Sequence, residues 1–316
     1  VSGLLEGLPE GLEVDAVVDL MIEEAMTTSA IEGEMLPWSE VKSSIRNQLG
    51  LNTPDESVKD LRAAGIGELL VAVRRDFAER LEVEMLFDWH KMLLKGENRL
   101  LVGNWRERGD PMQVVSGRID RPTVHFEAPP AARVPQEMKG YIDWFNRTSP
   151  GGKGAIVNAP IRAGLAHLYF ESIHPFEDGN GRIGRALAEK ALSQGVGFPV
   201  VMSLSGMIEA NRSHYYDALK QAQNSMEVTR WLSWFVGMVV EAQLDGEARV
   251  SLVLRKARFL GRYREGWNER QGKVIRRMLE AGPEGFEGGM NARKYVALTK
   301  ASKATATRDL QDLARQ

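Results

Sequence analysis

Apolar residues recur at helical spacing along most of this 316-residue chain, and such spacing is typical of helices with one buried face. The segments 15–26 and 161–173 show the pattern clearly. One region departs from it, because residues 112–130 contain two β-prone runs separated by polar residues and Pro122. That alternation predicts a β-hairpin. The expected fold class is therefore all-α with a small β addition.

Composition narrows the class of protein. Hydrophobic residues make up 43% of the chain, the net charge is −2, and there is no cysteine. A disulfide framework and a thiolate site are thereby excluded. No apolar run reaches the length of a membrane span, and no secretory signal is visible. We expect a soluble cytoplasmic protein that has no membrane partner.

The segment 174–185, His-Pro-Phe-Glu-Asp-Gly-Asn-Gly-Arg-Ile-Gly-Arg, carries the strongest chemical signal. Pro175 should end the preceding helix, since proline disfavours helical geometry in the residue before it. The Gly179-Asn180-Gly181 run allows positive φ angles and a close approach of the backbone to a ligand. Helix-forming residues follow, so this loop leads into a helix N-terminus, which attracts anions.

The side chains of this loop fit a magnesium-bound polyphosphate. Arg182 and Arg185 are three positions apart and should project from one face of the helix, where guanidinium groups match phosphate oxygens. Asp178 is a suitable Mg²⁺ ligand. His174 titrates near neutrality and could serve as a general base. The combination indicates phosphate chemistry.

Two other loop types come into question for this segment. Asp178, Asn180 and Glu189 occupy positions one, three and twelve of a calcium loop, but Arg182 and Ile183 stand where a ligand and a glycine are required. The Gly-Lys-Ser/Thr ending of a phosphate-binding Walker loop is absent as well. Neither alternative fits.

At these positions the chain resembles the Fic family, whose signature is His-x-Phe-x-Asp/Glu-Gly-Asn-Gly-Arg-x-x-Arg. The resemblance implies transfer of AMP from ATP to a hydroxyl side chain of a target protein, with Mg²⁺ and ATP as cofactors. It implies that His174 deprotonates the hydroxyl, that Phe176 anchors the loop, and that Asp178 holds the metal. The loop residues assigned to ATP on this basis are Asp178, Gly179, Asn180, Gly181, Arg182, Gly184 and Arg185.

Gly181 bears on the choice of reaction. Members of the family that phosphorylate their targets carry a lysine at this position and bind ATP in reverse, and this chain has glycine. The resemblance therefore implies transfer of a nucleotidyl group rather than a phosphoryl group.

A second segment, Thr28 to Gly33, follows the amphipathic run 15–26. Its residues alone favour an ordinary helix end with a solvated glutamate. The resemblance implies more, because many Fic proteins carry an inhibitory Ser/Thr-x-x-x-Glu-Gly/Asn segment, which Thr28, Glu32 and Gly33 match. It implies that Glu32 pairs with Arg185 and autoinhibits the enzyme. Whether Glu32 also supports removal of AMP stays open.

The expected hairpin corresponds to a flap that, in this family, holds the target chain by strand addition. Ser116, Gly117, Val124 and His125 are candidate nucleotide contacts on the flap. The alternatives are a plain surface hairpin and, for His125, an ordinary surface histidine.

The resemblance also implies an adenine pocket near Tyr215 and Tyr216, which lie on an expected helix where one of the two should be a core residue. Gln223 stands where relatives often carry asparagine, and it completes the candidate nucleotide contacts.

Residues 250–316 are basic, with 15 Lys and Arg against 7 Asp and Glu. Two short helical segments, 291–300 and 303–315, resemble the helix-turn-helix of a winged-helix module, which often follows Fic domains. A basic helix of this kind suggests DNA as a partner. The chain stops at Gln316 where wing strands would begin, so the module is expected to be truncated. A basic helical bundle packed on the core is the alternative.

The expected organisation is an N-terminal helical region (residues 1–95) with the inhibitory segment, a Fic core (96–245) and the winged-helix-like module (250–316). A protein adenylyltransferase is the leading function, and self-modification and homodimer formation stay open. The alternatives are a DNA-binding regulator that uses the Fic fold as a nucleotide sensor, and transfer of another group such as UMP, GMP or phosphocholine.

Overall fold

The computed structural model describes residues 12–107, 113–118, 121–279, 286 and 288–315. Helices dominate this part of the chain, as the sequence predicts. In chain order the elements are α1 (Leu12–Ile31), α2 (Trp38–Gln48), α3 (Leu61–Arg75), α4 (Val83–Leu93), β1 (Gln113–Arg118), β2 (Arg121–Glu127), α5 (Val134–Arg147), α6 (Ala159–Ile173), α7 (Asn180–Val196), α8 (Leu204–Ala210), α9 (Arg212–Gln223), α10 (Thr229–Tyr263), α11 (Glu269–Leu279), α12 (Ala292–Thr299) and α13 (Lys303–Leu313).

The chain divides into two compact units. One comprises Val17–Gly246 and contains the whole candidate site, and the other comprises Glu247–Gln316 together with the first sixteen residues. The domain boundaries at residues 95 and 250 stay a prediction. Within the described ranges, no helix combines the length and the apolar character needed to cross a membrane.

Helices α6 and α7 form the centre of the larger unit. Several of their apolar side chains are fully buried, among them Phe170 on α6 and Leu187 on α7. Complete burial of such a side chain contributes roughly 1.5–3 kcal/mol. Gly164 lets α10 approach α6, since a Cβ at this position would lie 3.0 Å from the Phe235 ring. The two central helices are therefore held on several sides, which makes a rigid base for the loop between them.

Local sequence explains where the central helices begin and end. The Asn158 side chain accepts a hydrogen bond from the Ile161 amide and caps α6 at its N-terminus. Helix α6 ends at Ile173, two residues before Pro175, so the predicted helix over 161–173 and its proline end are confirmed. Helix α7 starts at Asn180, directly after Gly179 in left-handed geometry.

Strands β1 and β2 form an antiparallel hairpin at the place that the sequence indicated. Val114 pairs with Phe126 and Ser116 pairs with Thr123, with an irregularity between Val114 and Val115. For residues 113–118 and 121–126 only the backbone belongs to the described part of the chain.

In the smaller unit, α11, α12 and α13 pack around Tyr295, which is fully buried together with Val274 and Ala306. The Tyr295 hydroxyl donates to Asp309 Oδ2 at 2.8 Å, which ties α12 to α13. The two helical segments predicted in this region are present. All regular structure among the described residues of this unit is helical, and the winged-helix assignment stays a prediction.

Candidate active site

The loop between α6 and α7 begins with an unusual backbone conformation at His174. This residue has φ 50° and ψ 62°, in the left-handed region. A residue other than glycine in this region carries a strain of about 1–3 kcal/mol, so other contacts must hold it there. Arg106 supplies them, because its Nε donates to the His174 carbonyl at 2.8 Å and its backbone amide donates to the Pro175 carbonyl at 2.9 Å.

Phe176 lies beneath the loop and anchors it in the core. Its side chain is fully buried and stacks on the His90 ring with a centroid distance of 4.0 Å. His90 Nδ1 accepts a hydrogen bond from the Gly103 amide at 2.9 Å, so Nε2 carries the ring proton and donates to the Asp178 carbonyl at 3.1 Å. Burial lowers the pKa of His90 to about 4, which keeps the ring neutral.

Asn180 closes the loop on itself. Its side-chain oxygen accepts from the Phe176 amide and its side-chain nitrogen donates to the Phe176 carbonyl, both at 2.9 Å. The amide group therefore shapes the loop, and its expected contact with phosphate stays a prediction. Gly179, with φ 82°, provides the left-handed turn that a side chain would strain.

Arg182 lies in the first turn of α7 and is almost completely buried, with 3% of its side chain exposed. Its Nη1 donates to Glu34 Oε2 at 2.7 Å, and its Nη2 donates to Asp178 Oδ1 at 3.3 Å. Two carboxylates therefore neutralise this guanidinium.

Arg185 is buried one turn further along the helix, with 2% of its side chain exposed. Its Nε donates to Thr28 Oγ1 at 2.7 Å, and its Nη2 donates to the Thr28 carbonyl at 3.0 Å and to Glu32 Oε1 at 2.7 Å. Burial alone would lower the pKa of Arg185, but the Glu32 carboxylate raises it above its ordinary value. Arg185 therefore contacts both Thr28 and Glu32, two residues of the expected inhibitory segment.

The end of α1 explains how one short segment reaches both arginines. Gly33 has φ 82°, its amide donates to the Ala30 carbonyl, and the Glu34 amide donates to the Ser29 carbonyl. This pattern is a Schellman motif, in which the left-handed residue turns the chain back over the last helical turn. Gly33 is therefore the residue that brings Glu32 and Glu34 to the N-terminus of α7.

Two glycines on α7 let carboxyl groups approach the helix closely. A Cβ on Gly181 would lie 2.2 Å from Glu32 Oε1, and a Cβ on Gly184 would lie 2.5 Å from Glu171 Oε1. No real side chain tolerates either distance. Gly184 faces α6 in this arrangement, and its expected contact with the nucleotide stays a prediction, as does the choice of reaction assigned to Gly181.

The His174 side chain lies at the edge of this cluster and is suited to accept a proton. Burial, followed by the nearby Arg106, lowers its pKa to about 4, below the near-neutral value that the sequence suggested, so the imidazole is neutral at physiological pH. Glu171 Oε2 lies 3.7 Å from His174 Nδ1. A neutral ring next to a helix N-terminus with two arginines is an arrangement that can move a proton beside an anion.

Four of the remaining candidate contacts belong to the hairpin. Ser116 and Gly117 lie on β1, and Val124 and His125 lie on β2, with their side chains outside the described part of the chain.

Three more candidates lie on or at the end of α9. Tyr215 is buried and its hydroxyl lies 2.8 Å from His167 Nε2, so it is the core member of the tyrosine pair. Tyr216 is 42% exposed, and Gln223 donates to the Glu171 carbonyl at 3.3 Å.

Sequence reasoning missed Glu34, Arg106 and His90. Each has a partner far away in the chain, as in the pair of Arg182 and Glu34, which are 148 positions apart. Only the acidic character of the segment around Glu32 could have suggested Glu34.

The magnesium site expected at Asp178 stays a prediction. Half of the Asp178 side chain is exposed, and it projects from the loop beside Arg182. Among the described residues, no three His, Cys, Asp or Glu side chains form a cage for a metal ion. Magnesium is commonly held by one or two carboxylates with water and phosphate oxygens as the other ligands, so a single carboxylate fits an ion that arrives with the nucleotide.

Comparison with known proteins gives this arrangement a family. Residues 80–192 match the model of the Fic/DOC family, and residues 1–51 match a domain of unknown function, DUF4172. The chain carries a Fic domain. The match covers α4, the β1–β2 hairpin, α5, α6, the loop 174–179 and most of α7, so Arg182, Arg185 and His174 all belong to it.

Relatives of this Fic domain occur in animals and bacteria. The chain is 25% identical over 235 residues to "Protein adenylyltransferase Fic" of Nematostella vectensis, which covers 73% of this chain and 49% of the relative. It therefore spans about half the length of that relative.

Two solved structures share the fold, both at 20% identity. A Fic domain-containing signalling protein from Bacteroides thetaiotaomicron aligns with a TM-score of 0.60, over 80% of this chain and 92% of that one. A Fic family protein from Desulfovibrio desulfuricans aligns with a TM-score of 0.52, over 93% and 79%.

Proposed function

We propose that this chain is a protein adenylyltransferase, which transfers AMP from MgATP to a Ser, Thr or Tyr hydroxyl of a target protein. The observation that carries the proposal is the convergence at the N-terminus of α7, where Arg182, Arg185 and the neutral His174 ring surround the signature loop. The printed names of the relatives, protein adenylyltransferases, support it.

In the proposed reaction, His174 takes the proton of the target hydroxyl. Arg182 and Arg185 bind the phosphate oxygens and stabilise the charge that develops on the departing pyrophosphate. Asp178 would hold the magnesium ion, which supplies further positive charge to the phosphates. The flap between Gln113 and Glu127 offers strand edges that would align the target chain without reading much of its sequence.

The inhibited state of this enzyme is part of the proposal. The Glu32 carboxylate forms an ion pair with Arg185, and the Glu34 carboxylate forms an ion pair with Arg182. Both arginines that would bind phosphate are therefore paired with carboxylates of one segment. A nucleotide must displace at least Glu32 before its outer phosphate can reach Arg185.

Labelled ATP distinguishes this function from phosphoryl transfer. Protein incubated with cell lysate should become labelled, or should label a target, when the radioactive phosphorus is at the α position of ATP. When the radioactive phosphorus is at the γ position, labelling should not exceed that of the same lysate without the protein. Label from the γ position above that level would contradict nucleotidyl transfer, and label from another nucleoside triphosphate would redefine the transferred group.

A second function is supported by the helix pair of the smaller unit. Helix α13 begins after Ser302, whose hydroxyl accepts from the Thr305 amide, and its Lys303, Thr307 and Arg308 are exposed. We propose DNA as a ligand of this exposed face, in line with the basic charge of the region. In a gel-shift titration at low salt, retardation of duplex DNA by the full chain supports binding, and no retardation contradicts it.

A further inference from the structure

The His90 ring joins two parts of the site that are separate in the chain. It lies on α4 and is fully buried, and both of its nitrogen atoms form hydrogen bonds. Nδ1 accepts from the Gly103 amide at 2.9 Å, and Nε2 donates to the Asp178 carbonyl at 3.1 Å. Because an amide N–H can only donate, the contact with Gly103 leaves the ring proton on Nε2. The ring therefore connects the segment before the hairpin to the loop between α6 and α7.

The same segment, residues 101–106, supports the earlier part of the loop directly. The Leu101 amide donates to Glu177 Oε2 at 3.0 Å, and the Arg106 amide donates to the Pro175 carbonyl at 2.9 Å. The next peptide group of the loop is held through His90 instead. Among the described residues, only His90 donates to the Asp178 carbonyl.

The direction of the Asp178 carbonyl determines the direction of the amide that follows it. A trans peptide group is planar, so its C=O and N–H point to opposite sides. The carbonyl points to His90, and the Gly179 amide points away from it and donates to Asp178 Oδ1 at 2.5 Å. The same Oδ1 accepts from Arg182 Nη2 at 3.3 Å. The Gly179 amide and the Asp178 carboxylate therefore lie on the side of the peptide that faces Arg182.

Gly179 makes this peptide group easy to turn over. A Cβ at this position would lie 2.9 Å from Leu93 Cδ2, so the fold requires glycine here. Glycine adopts positive and negative φ angles about equally well, which leaves the orientation of the peptide to be fixed by a contact from outside the loop. A reversed peptide would present a carbonyl oxygen to an anion at the N-terminus of α7, and it would leave the buried Nε2–H of His90 without an acceptor.

We propose that His90 is a positioning residue for the nucleotide. It holds the Asp178 carbonyl, and it thereby turns the Gly179 amide and the Asp178 carboxylate toward the N-terminus of α7. In this orientation the amide can donate to a phosphate oxygen and the carboxylate can hold a magnesium ion that arrives with the phosphates. His90 itself touches neither. The choice of MgATP as the ligand rests on the proposed function.

Three substitutions separate the hydrogen bonds of the ring from its packing. Asn places its amide group near the position of Nδ1 and is too short to reach Asp178, whereas Gln carries an N–H donor near the position of Nε2. Both remove the ring that stacks on Phe176, so they are matched in lost packing. Phe keeps a stacked ring and lacks both hydrogen bonds. His90→Gln should preserve the orientation of the peptide, and His90→Asn and His90→Phe should lose it.

Isothermal titration calorimetry with MgATP measures the consequence. The three substitutions are compared in the full chain in the Glu32→Gly background, in which Arg185 is free to bind phosphate. His90→Asn and His90→Phe should bind MgATP at least about tenfold more weakly than His90→Gln, on the scale of a hydrogen bond to a charged group. Equal affinities of the Asn and Gln variants, or a Phe variant that binds as tightly as the Gln variant, would overturn the proposal.

Crystal structures of the variants without nucleotide test the same step without any ligand. In His90→Asn or His90→Phe the Asp178 carbonyl should turn away from position 90, and in His90→Gln it should stay in place. An unchanged peptide in the Asn and Phe variants would overturn the role of His90. If Glu32→Gly binds no MgATP or transfers no AMP, the proposed function is contradicted, and the orientation of the peptide still decides the role of His90.

Discussion

The guanidinium of Arg185 and the carboxylate of Glu32 are 153 positions apart in the chain and 2.7 Å apart in the structure. Arg185 is almost fully buried, whereas 29% of the Glu32 side chain is exposed. The exposed member can leave more easily than the buried one. Under the proposed function, the segment that carries Glu32 is therefore the part of this contact that a nucleotide would displace.

Glu34 should contribute a second restraint, on Arg182. Glu34→Gln removes the carboxylate that lies 2.7 Å from Arg182 Nη1 and leaves this arginine with Asp178 at 3.3 Å. We expect tighter ATP binding by about tenfold, on the scale of a hydrogen bond to a charged group, roughly 1.5–3 kcal/mol. Isothermal titration calorimetry measures the change, with the exposed Glu241→Gln as control. Equal affinities of Glu34→Gln and wild type would mean that the pair does not oppose nucleotide binding.

His174→Ala should abolish AMP transfer while ATP still binds, because the ring takes a proton and no phosphate contact is assigned to it. The loss should be on the order of 10²–10⁴-fold, as for a general base. Transfer of α-labelled AMP and ATP affinity are measured on the same protein. His214→Ala, which changes an exposed histidine on α9, should behave like wild type. Persistent transfer by His174→Ala would exclude the ring as the base.

Arg106 should be essential for the shape of the loop. Its guanidinium binds the carbonyls of His174 and Pro129 at 2.8 and 2.5 Å, so it joins the loop to the segment that follows the flap. Arg106→Ala leaves these carbonyls without their donor and should lower the free energy of unfolding by at least about 2 kcal/mol. Arg106→Lys keeps the charge but lacks the several donors of the guanidinium, so it should retain only part of the free energy of unfolding that Arg106→Ala loses. Urea denaturation of wild type and both variants measures the free energy of unfolding. Equal values for wild type and Arg106→Ala would contradict this role.

The features that the sequence predicts depend on residues close together in the chain, whereas the features it does not predict depend on residues far apart. Helix α6, the break at Pro175 and the glycines of the loop follow from local rules, and the sequence predicts all of them. The contact of Glu32 with Arg185 came from a family resemblance, because the residues around Glu32 indicated only a helix end.

Other features of the site depend on partners that no local pattern reveals. The Schellman turn at Gly33 brings Glu34 to Arg182, and the left-handed backbone of His174 depends on Arg106. Sequence periodicity carries no information about either pairing.

The buried His167 predicts a specific dependence of stability on pH. Burial lowers its pKa from 6.5 to about 4, so the unfolded chain binds the proton more readily than the folded one. The stability that the neutral His167 ring contributes is fully present above about pH 6.5 and is lost as the pH falls toward about 4. Relative to His167→Gln, wild type should lose up to about 3 kcal/mol of stability over this range, at about 1.36 kcal/mol per pKa unit. Parallel stability curves for the two proteins would contradict a neutral buried ring.

Incorporation of α-labelled AMP by Glu32→Gly tests the central claim most directly. Wild type, Glu32→Gly and Glu32→Gly/His174→Ala are incubated side by side with MgATP and lysate. The account predicts weak labelling by wild type, strong labelling by Glu32→Gly, and none by the double variant. Equal labelling by wild type and Glu32→Gly would contradict inhibition by Glu32, and no labelling by any of the three would contradict adenylyl transfer itself.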